Sequence, residues 1–245
     1  MLPRFDVEVR IDEIKPELLR VIWIGEVDEG IGDNRLYGDV TGTDWLEVEP
    51  VIAAEEALLK AAESNAVDEA DFERIVRETI SEQYPGDDFD EGPLSAFAML
   101  DGGVMAAVAA LSAAGCVPTA SCNGHYGHGE PRPVVRFSTD EFRLPLIRDA
   151  CVRSGCGLIM DRIGMLQVYA ADVLAMVEFA RQMVAFQHDF EAIDSEVACE
   201  QPDEVYLYQY DDDLRRRDLY AIHEQMQRDR VVECPGQLSL FGDED

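Results

Sequence analysis

Cys122, His125 and His128 follow one another at three-residue steps, with Cys116 six residues upstream. Thiolate and imidazole are the ligands zinc prefers, and Gly124 and Gly127 let the backbone fold so short a run around one ion. One expectation is therefore zinc held by Cys116, Cys122, His125 and His128. A structural zinc site draws ligands from two segments, so Cys116, or else Cys156, would have to complete it from a neighbouring strand. A second expectation makes Cys122 a nucleophile or polar contact, with His125 near enough to share its proton. Ser121, Asn123, Arg136, Asp161 and Arg162 would add polar groups, so Cys122, His125, Arg136 and Asp161 are the catalytic candidates. The third reading is a tight glycine turn, with the cysteine in the core and the histidines on the surface.

These residues need elements to position them. Val117–Cys122 reads as a strand and Pro133–Ser138 as another, on either side of the Gly/His/Pro-rich turn. Alternation puts Arg136 on the face opposite Val135 and Phe137, where its guanidinium would attract a phosphate or carboxylate. Leu94–Ala114 reads as an apolar helix and Phe142–Ser154 as a second. Gly157–Asp161 and Met165–Ala170 form strands around the turn Arg162-Ile163-Gly164, and Asp172 caps a helix to Phe186. Ala110-Leu-Ser-Ala-Ala-Gly115-Cys116 matches Ala150-Cys-Val-Arg-Ser-Gly155-Cys156 forty residues later, with Ala, Gly and Cys in register. In each, the glycine follows a helix at the position where positive φ is expected. The order αββαββα with this match predicts an α+β fold. Duplicated αββ units form a four-stranded sheet with helices on one face. The turn Ser121-Cys122-Asn123-Gly124 at the start of this repeat resembles the tRNA wybutosine-synthesis methyltransferase-like family. That family has arginine where this chain has His125, and no residue role is carried over from it.

Charge divides the chain differently. The whole has 245 residues and a formal net charge of −31. Residues 1–91 carry 26 acidic and 8 basic side chains, residues 92–187 carry 8 and 7, and residues 188–245 carry 17 and 5. The acidic flanks thus enclose a near-neutral core. Four regions are expected. Residues 1–91 combine a strand at Phe5–Ile14, a loop at 25–44 and helices at Val51–Ala62 and Glu69–Gln83, the last capped by Asp68 or Asp71. A Pro/Gly-rich linker at 84–93 closes that region, and 92–187 is the αββαββα core. Residues 188–231 are acidic and helical around Tyr206–Met226, and 232–245 form a flexible tail. The flanks repel phosphate backbones, which excludes non-specific nucleic-acid coating, and the same charge argues against a membrane surface. Six cysteines spread over a mid-sized chain read as reduced thiols. With no secretory signal and no apolar run long enough to span a bilayer, the expected location is the cytoplasm.

The chain ends in Pro235-Gly236-Gln237-Leu238-Ser239-Leu240-Phe241 followed by acids. An exposed Leu-x-Leu-Phe on a tail asks for a partner. At all five positions, Gln237, Leu238, Ser239, Leu240 and Phe241 resemble the peptide by which bacterial replication, repair and defence proteins bind the DNA sliding clamp. The resemblance implies that Gln237 hydrogen-bonds at the pocket edge, Leu240 and Phe241 fill the main apolar pocket, and Leu238 enters a smaller one. In an archaeal setting the same peptide would resemble the ring-clamp motif Gln-x-x-Leu-Phe, without its usual second aromatic. The competing expectation is a tail folded back onto its own domain.

Three classes of function remain open. The first is a replication-, repair- or phage-defence-associated accessory protein docked on the clamp, with a Cys/His polar site in its core. The second is an acidic DNA-mimic inhibitor of a nucleic-acid-binding enzyme, which would array its acids along one folded face. The third is a clamp-delivered enzyme acting on a nucleotide or nucleic acid. No P-loop, GxGxxG, HExxH or Gly-x-Ser-x-Gly signature is present.

Overall fold

Asp44 opens the first long helix. Its carboxylate accepts the Leu46 N–H at 2.8 Å, and Glu47 reaches back to accept the Asp44 N–H at 3.2 Å, a reciprocal capping box. Helix α1 therefore runs Trp45–Asn65 rather than starting at Val51. Asp68, one of the two caps expected, accepts the Asp71 N–H at 2.8 Å and starts α2, Glu69–Gln83. The computed structural model describes residues 2–20, 22–23, 40–84, 92–124, 131–161, 164–194 and 198–199, the pairs 22–23 and 198–199 by backbone alone. The expected helix at Tyr206–Met226 and the tail at 232–245 lie outside these residues.

The sequence predicts one helix over Leu94–Ala114, but the chain forms a short 3-10 turn at Ser95–Phe97 and then helix α3 at Met105–Ala113. Gly102 and Gly103 interrupt it. Gly103 has φ 108°, and a Cβ there would collide with Val173, just as one at Gly102 would collide with Val76. Neighbouring helices thus approach the backbone at a place where only glycine fits.

The repeated αββ units are as expected. Strands β2 (Val117–Cys122), β3 (Val134–Ser138), β4 (Gly157–Met160) and β5 (Leu166–Tyr169) form one antiparallel sheet in the order β2-β3-β5-β4. Helix α4 (Leu144–Ser154) links β3 to β4, and α5 (Val173–Ala185) follows β5. Short α6 (Gln187–Glu191) brings Phe190 against Trp45, with ring centroids 5.9 Å apart. Among the described residues, six helices and this sheet make an α+β fold. Strands β1 (Ile22–Trp23) and β6 (Ala198–Cys199) pair in parallel separately.

The register explains the repeated Ala-Gly-Cys. Gly115 and Gly155 have φ 77° and 73° just after α3 and α4. The Cys116 N–H then donates to Leu111 O at 2.9 Å, and the Cys156 N–H to Cys151 O at 3.0 Å. Both are the closing bonds of a helix-ending motif whose following residue packs back onto the helix. Cys116 and Cys156 are these packing residues, buried in the helix-side core.

Val135, Phe137, Leu158, Leu166 and Val168 face the helices and belong to the same core as Val48, Val51, Leu59, Phe72 and Val76. Residues 1–199 thus make one compact unit rather than regions divided at residues 91 and 187, because α1 packs against α3 and α5, and α2 packs on α1 with its apolar residues in the same core. The expected strand Phe5–Ile14 is also corrected. That segment meets the sheet at a single parallel bridge, Ile11 with Leu158. No described helix is long and apolar enough to cross a membrane.

Helix α3 is buried on nearly every side, and Val104 at its start offers no capping side chain. Glu55 of α1, fully buried, supplies the acceptors instead: Oε1 takes the N–H groups of Gly103 (2.7 Å) and Met105 (2.9 Å), and Oε2 that of Ala106 (2.8 Å). Burial pushes the Glu55 carboxyl above its usual range, and the three N–H bonds pull it part of the way back. Glu55→Ala should cost about 3 kcal/mol or more in urea unfolding, because buried donors lose their only acceptor. A raised folded-state value means that the proton binds Glu55 more tightly in the folded than in the unfolded chain. That contribution is complete below the unfolded value near 4.5 and fades as pH rises through the folded one. The stability of the wild type relative to Glu55→Gln should therefore grow as pH falls from 7 to 5, measured by urea midpoints at each pH.

Candidate functional site

The sheet face away from the helices carries two rows of side chains. Strand pairing aligns Cys122 with Val134, Tyr169 and Gly157 in one, and Ala120 with Arg136, Gln167 and Ile159 in the next. Arg136 therefore occupies the face expected from alternation. Its Nε donates to Asp161 Oδ2 at 2.8 Å, and Nη2 lies 2.7 Å from the same oxygen. Asp161 Oδ1 accepts the Met165 N–H at 2.9 Å, so one carboxylate both fixes the β4–β5 turn and holds the arginine. The carboxylate expected to be drawn by Arg136 is thus supplied from the second repeat.

Cys122 ends β2 and is nearly buried, packed with Val134 and Tyr169. Its sulfur accepts the Gly124 N–H at 3.4 Å. A Cβ on Gly124, which has φ 76°, would collide with the Arg132 and Pro133 backbone, so this turn requires glycine. Asn123 donates from Nδ2 to Gly102 O at 3.2 Å, and its N–H reaches Asp101 Oδ2 at 3.3 Å, fastening the turn to the start of α3. Ser121 shares the opposite face with Val135. His125 and His128, with Arg162, lie outside the described residues.

Within the expected zinc set, the geometry keeps Cys116 and Cys122 apart. Cys116 directly precedes β2 and Cys122 ends it, so six residue steps of strand, roughly 20 Å of extended chain, separate them. They also belong to different apolar clusters. Cys156 precedes β4, three strands across the sheet from Cys122, or roughly 14 Å. Neither can share an ion with Cys122. Burial pushes the Cys116 and Cys156 thiols up to about 12, away from the thiolate that metal binding or attack needs. Cys116 donates its S–H to Thr139 at 3.3 Å, Cys156 to Ala175 O at 3.3 Å. Among the described residues no group of three His, Cys, Asp or Glu side chains could hold a metal.

Three members of the face do not follow from motif spacing. Tyr169 lies flat where a Cβ on Gly157 would strike its ring, and the Arg132 guanidinium covers the ring with its carbon 3.8 Å from the centroid. Gln167 is 2% exposed, and its Oε1 has no hydrogen-bond partner among the described residues. A buried acceptor left unmade costs about 1–3 kcal/mol. Its signal was present: in Leu166-Gln-Val-Tyr169, alternation puts a polar side chain on a central strand beside Arg136.

Comparison with known proteins returned no matching family model, no matching curated protein and no matching solved structure. The class that the coordinates define is an α+β protein built on a duplicated αββ unit, with a charge-compensated polar patch on the open face of its sheet.

Arg136 and Asp161 are 19% and 17% exposed, so solvent screens the pair only in part. A double-mutant cycle with Arg136→Gln and Asp161→Asn should give a coupling of about 1–2 kcal/mol in urea unfolding. Coupling near zero would mean that Arg136 exchanges this carboxylate freely for other anions.

Proposed function

We propose that this chain is an accessory protein of DNA replication, repair or defence that docks on the DNA sliding clamp through Gln237–Phe241. The five-position match of Gln237-Leu238-Ser239-Leu240-Phe241 carries the reading. Residues 1–199 form a compact unit, a folded body that a docking peptide could bring along, and the peptide itself lies outside the described residues. A short segment that orders a few apolar anchors in a preformed groove is an established mode of peptide recognition. Leu240 and Phe241 supply the anchoring area and Gln237 the polar register.

The charge pattern supports the same reading. With 26 acidic side chains in residues 1–91 and 17 in residues 188–245, attraction to phosphates cannot bring these flanks to a duplex. A ring that already encircles DNA supplies the proximity instead, through contacts that do not depend on phosphate.

Calorimetry of the full chain with a purified bacterial sliding clamp should show saturable binding. Changing Gln237, Leu240 and Phe241 together to Ala should weaken it at least about thirtyfold, as loss of hot-spot anchors does. Equal affinity of both proteins, or no binding by the wild type, overturns the proposal.

A further inference from the structure

The N-terminal segment crosses the open face with few fastenings. The Phe5 N–H donates to Ala171 O at 2.8 Å, and Val7 packs on the cluster of Cys122, Val134 and Tyr169. The Tyr169 hydroxyl accepts the Arg10 N–H at 3.1 Å and donates to Glu8 O at 3.1 Å. At the edge of β4, the Leu158 N–H donates to Arg10 O at 3.0 Å, and the Asp12 N–H to Leu158 O at 2.9 Å. Ile11 with Leu158 is the one sheet pairing of this segment among the described residues. The outward side chains Arg4, Asp6, Glu8 and Val9 are exposed.

Beneath the segment lies the cluster of Cys122, Val134 and Tyr169, on the sheet face away from the helices.

We propose that residues Phe5–Asp12 form a strap that opens while the rest of the compact unit stays folded. Opening lays bare Cys122, Val134 and Tyr169. The strap is held by the Tyr169 hydroxyl and by three backbone hydrogen bonds, one to Ala171 and two to Leu158, whereas β3 and β5 are paired on both sides and buried. Elements with few buried contacts open at lower free energy than the whole fold.

The cysteines make the opening measurable. Cys122 lies under the strap, while Cys116, Cys151 and Cys156 are sealed in the helix-side core. The full chain is exposed to a maleimide without denaturant, and labelled peptides are followed by mass spectrometry. Cys122 should react at least about tenfold faster than Cys151, since local opening precedes global unfolding. Tyr169→Phe removes the fastening hydroxyl and should speed Cys122 about two- to tenfold, the range that one hydrogen bond supports. Ile147→Val, a core change away from the strap, should speed Cys151 and leave Cys122 unchanged. Equal rates for the two thiols, or parallel responses in both variants, would show that Cys122 is reached only by global unfolding and would overturn the strap. Fast labelling of Cys122 that Tyr169→Phe leaves unaltered would place access at the end of β2 and overturn it equally.

Discussion

A helix buried along its whole length has nowhere to send its terminal N–H and C=O groups except to other parts of the protein. In this fold that constraint falls on α3, and two charged side chains meet it. Glu55 accepts three N–H groups at the positive end of the helix dipole. Arg143, itself nearly buried, donates from Nε to Ala114 O at 2.6 Å at the negative end and pairs with Asp140. Each charge sits where the helix field favours it. Glu55 ties α1 to the start of α3, and Arg143 ties the start of α4 to its end. Asp140 also accepts the Phe142 and Arg143 N–H groups, at 3.1 and 2.8 Å, where α4 begins. Helices, sheet and candidate site are mutually placed through these few contacts.

The parts of the fold governed by local rules were legible in the residues. Alternation located the four strands and put Arg136 opposite Phe137. Glycines 115 and 155 announced left-handed helix ends, and their repetition forty residues apart announced the duplicated unit. Asp172 caps α5 as expected, accepting the Ala175 N–H at 3.0 Å. What escaped were matters of partnership. Glu55 sits in the apolar stripe Val51, Ile52, Leu59, Ala62, where an acid is out of place until its three N–H donors, some fifty residues away in sequence, come into view. The cysteines of the repeat look like ligands by type and spacing, yet they are packing residues at helix ends, because spacing along a strand converts into distance. Proline and glycine around residues 84–93 resemble a domain linker, but the helices on both sides bury their faces in one core.

The acidic surface divides in a similar way. On α1 and α2 several acids have basic partners: Glu56 lies 2.9 Å from Lys60 and 3.1 Å from Arg181, and Arg74 lies 2.6 Å from Asp71 and also pairs with Glu78. These exposed pairs add little stability each. Most of the chain's charge acts as general repulsion toward polyanions, and a docking peptide built on apolar anchors is compatible with it.

The two ends of α3 are also ordered in time. Glu55 leaves the ribosome well before the helix it caps, so the positive end meets its acceptor as soon as it is made. Ala114 has no such partner until Arg143, 29 residues later, has been synthesised. A nascent chain stopped between them holds a helix satisfied at one end only. Its apolar surface already meets α1, β2 and β3, whereas α5 covers it only after residue 173 has been made. Helix α3 thus gains its last large partner, α5, only when the second αββ unit is complete.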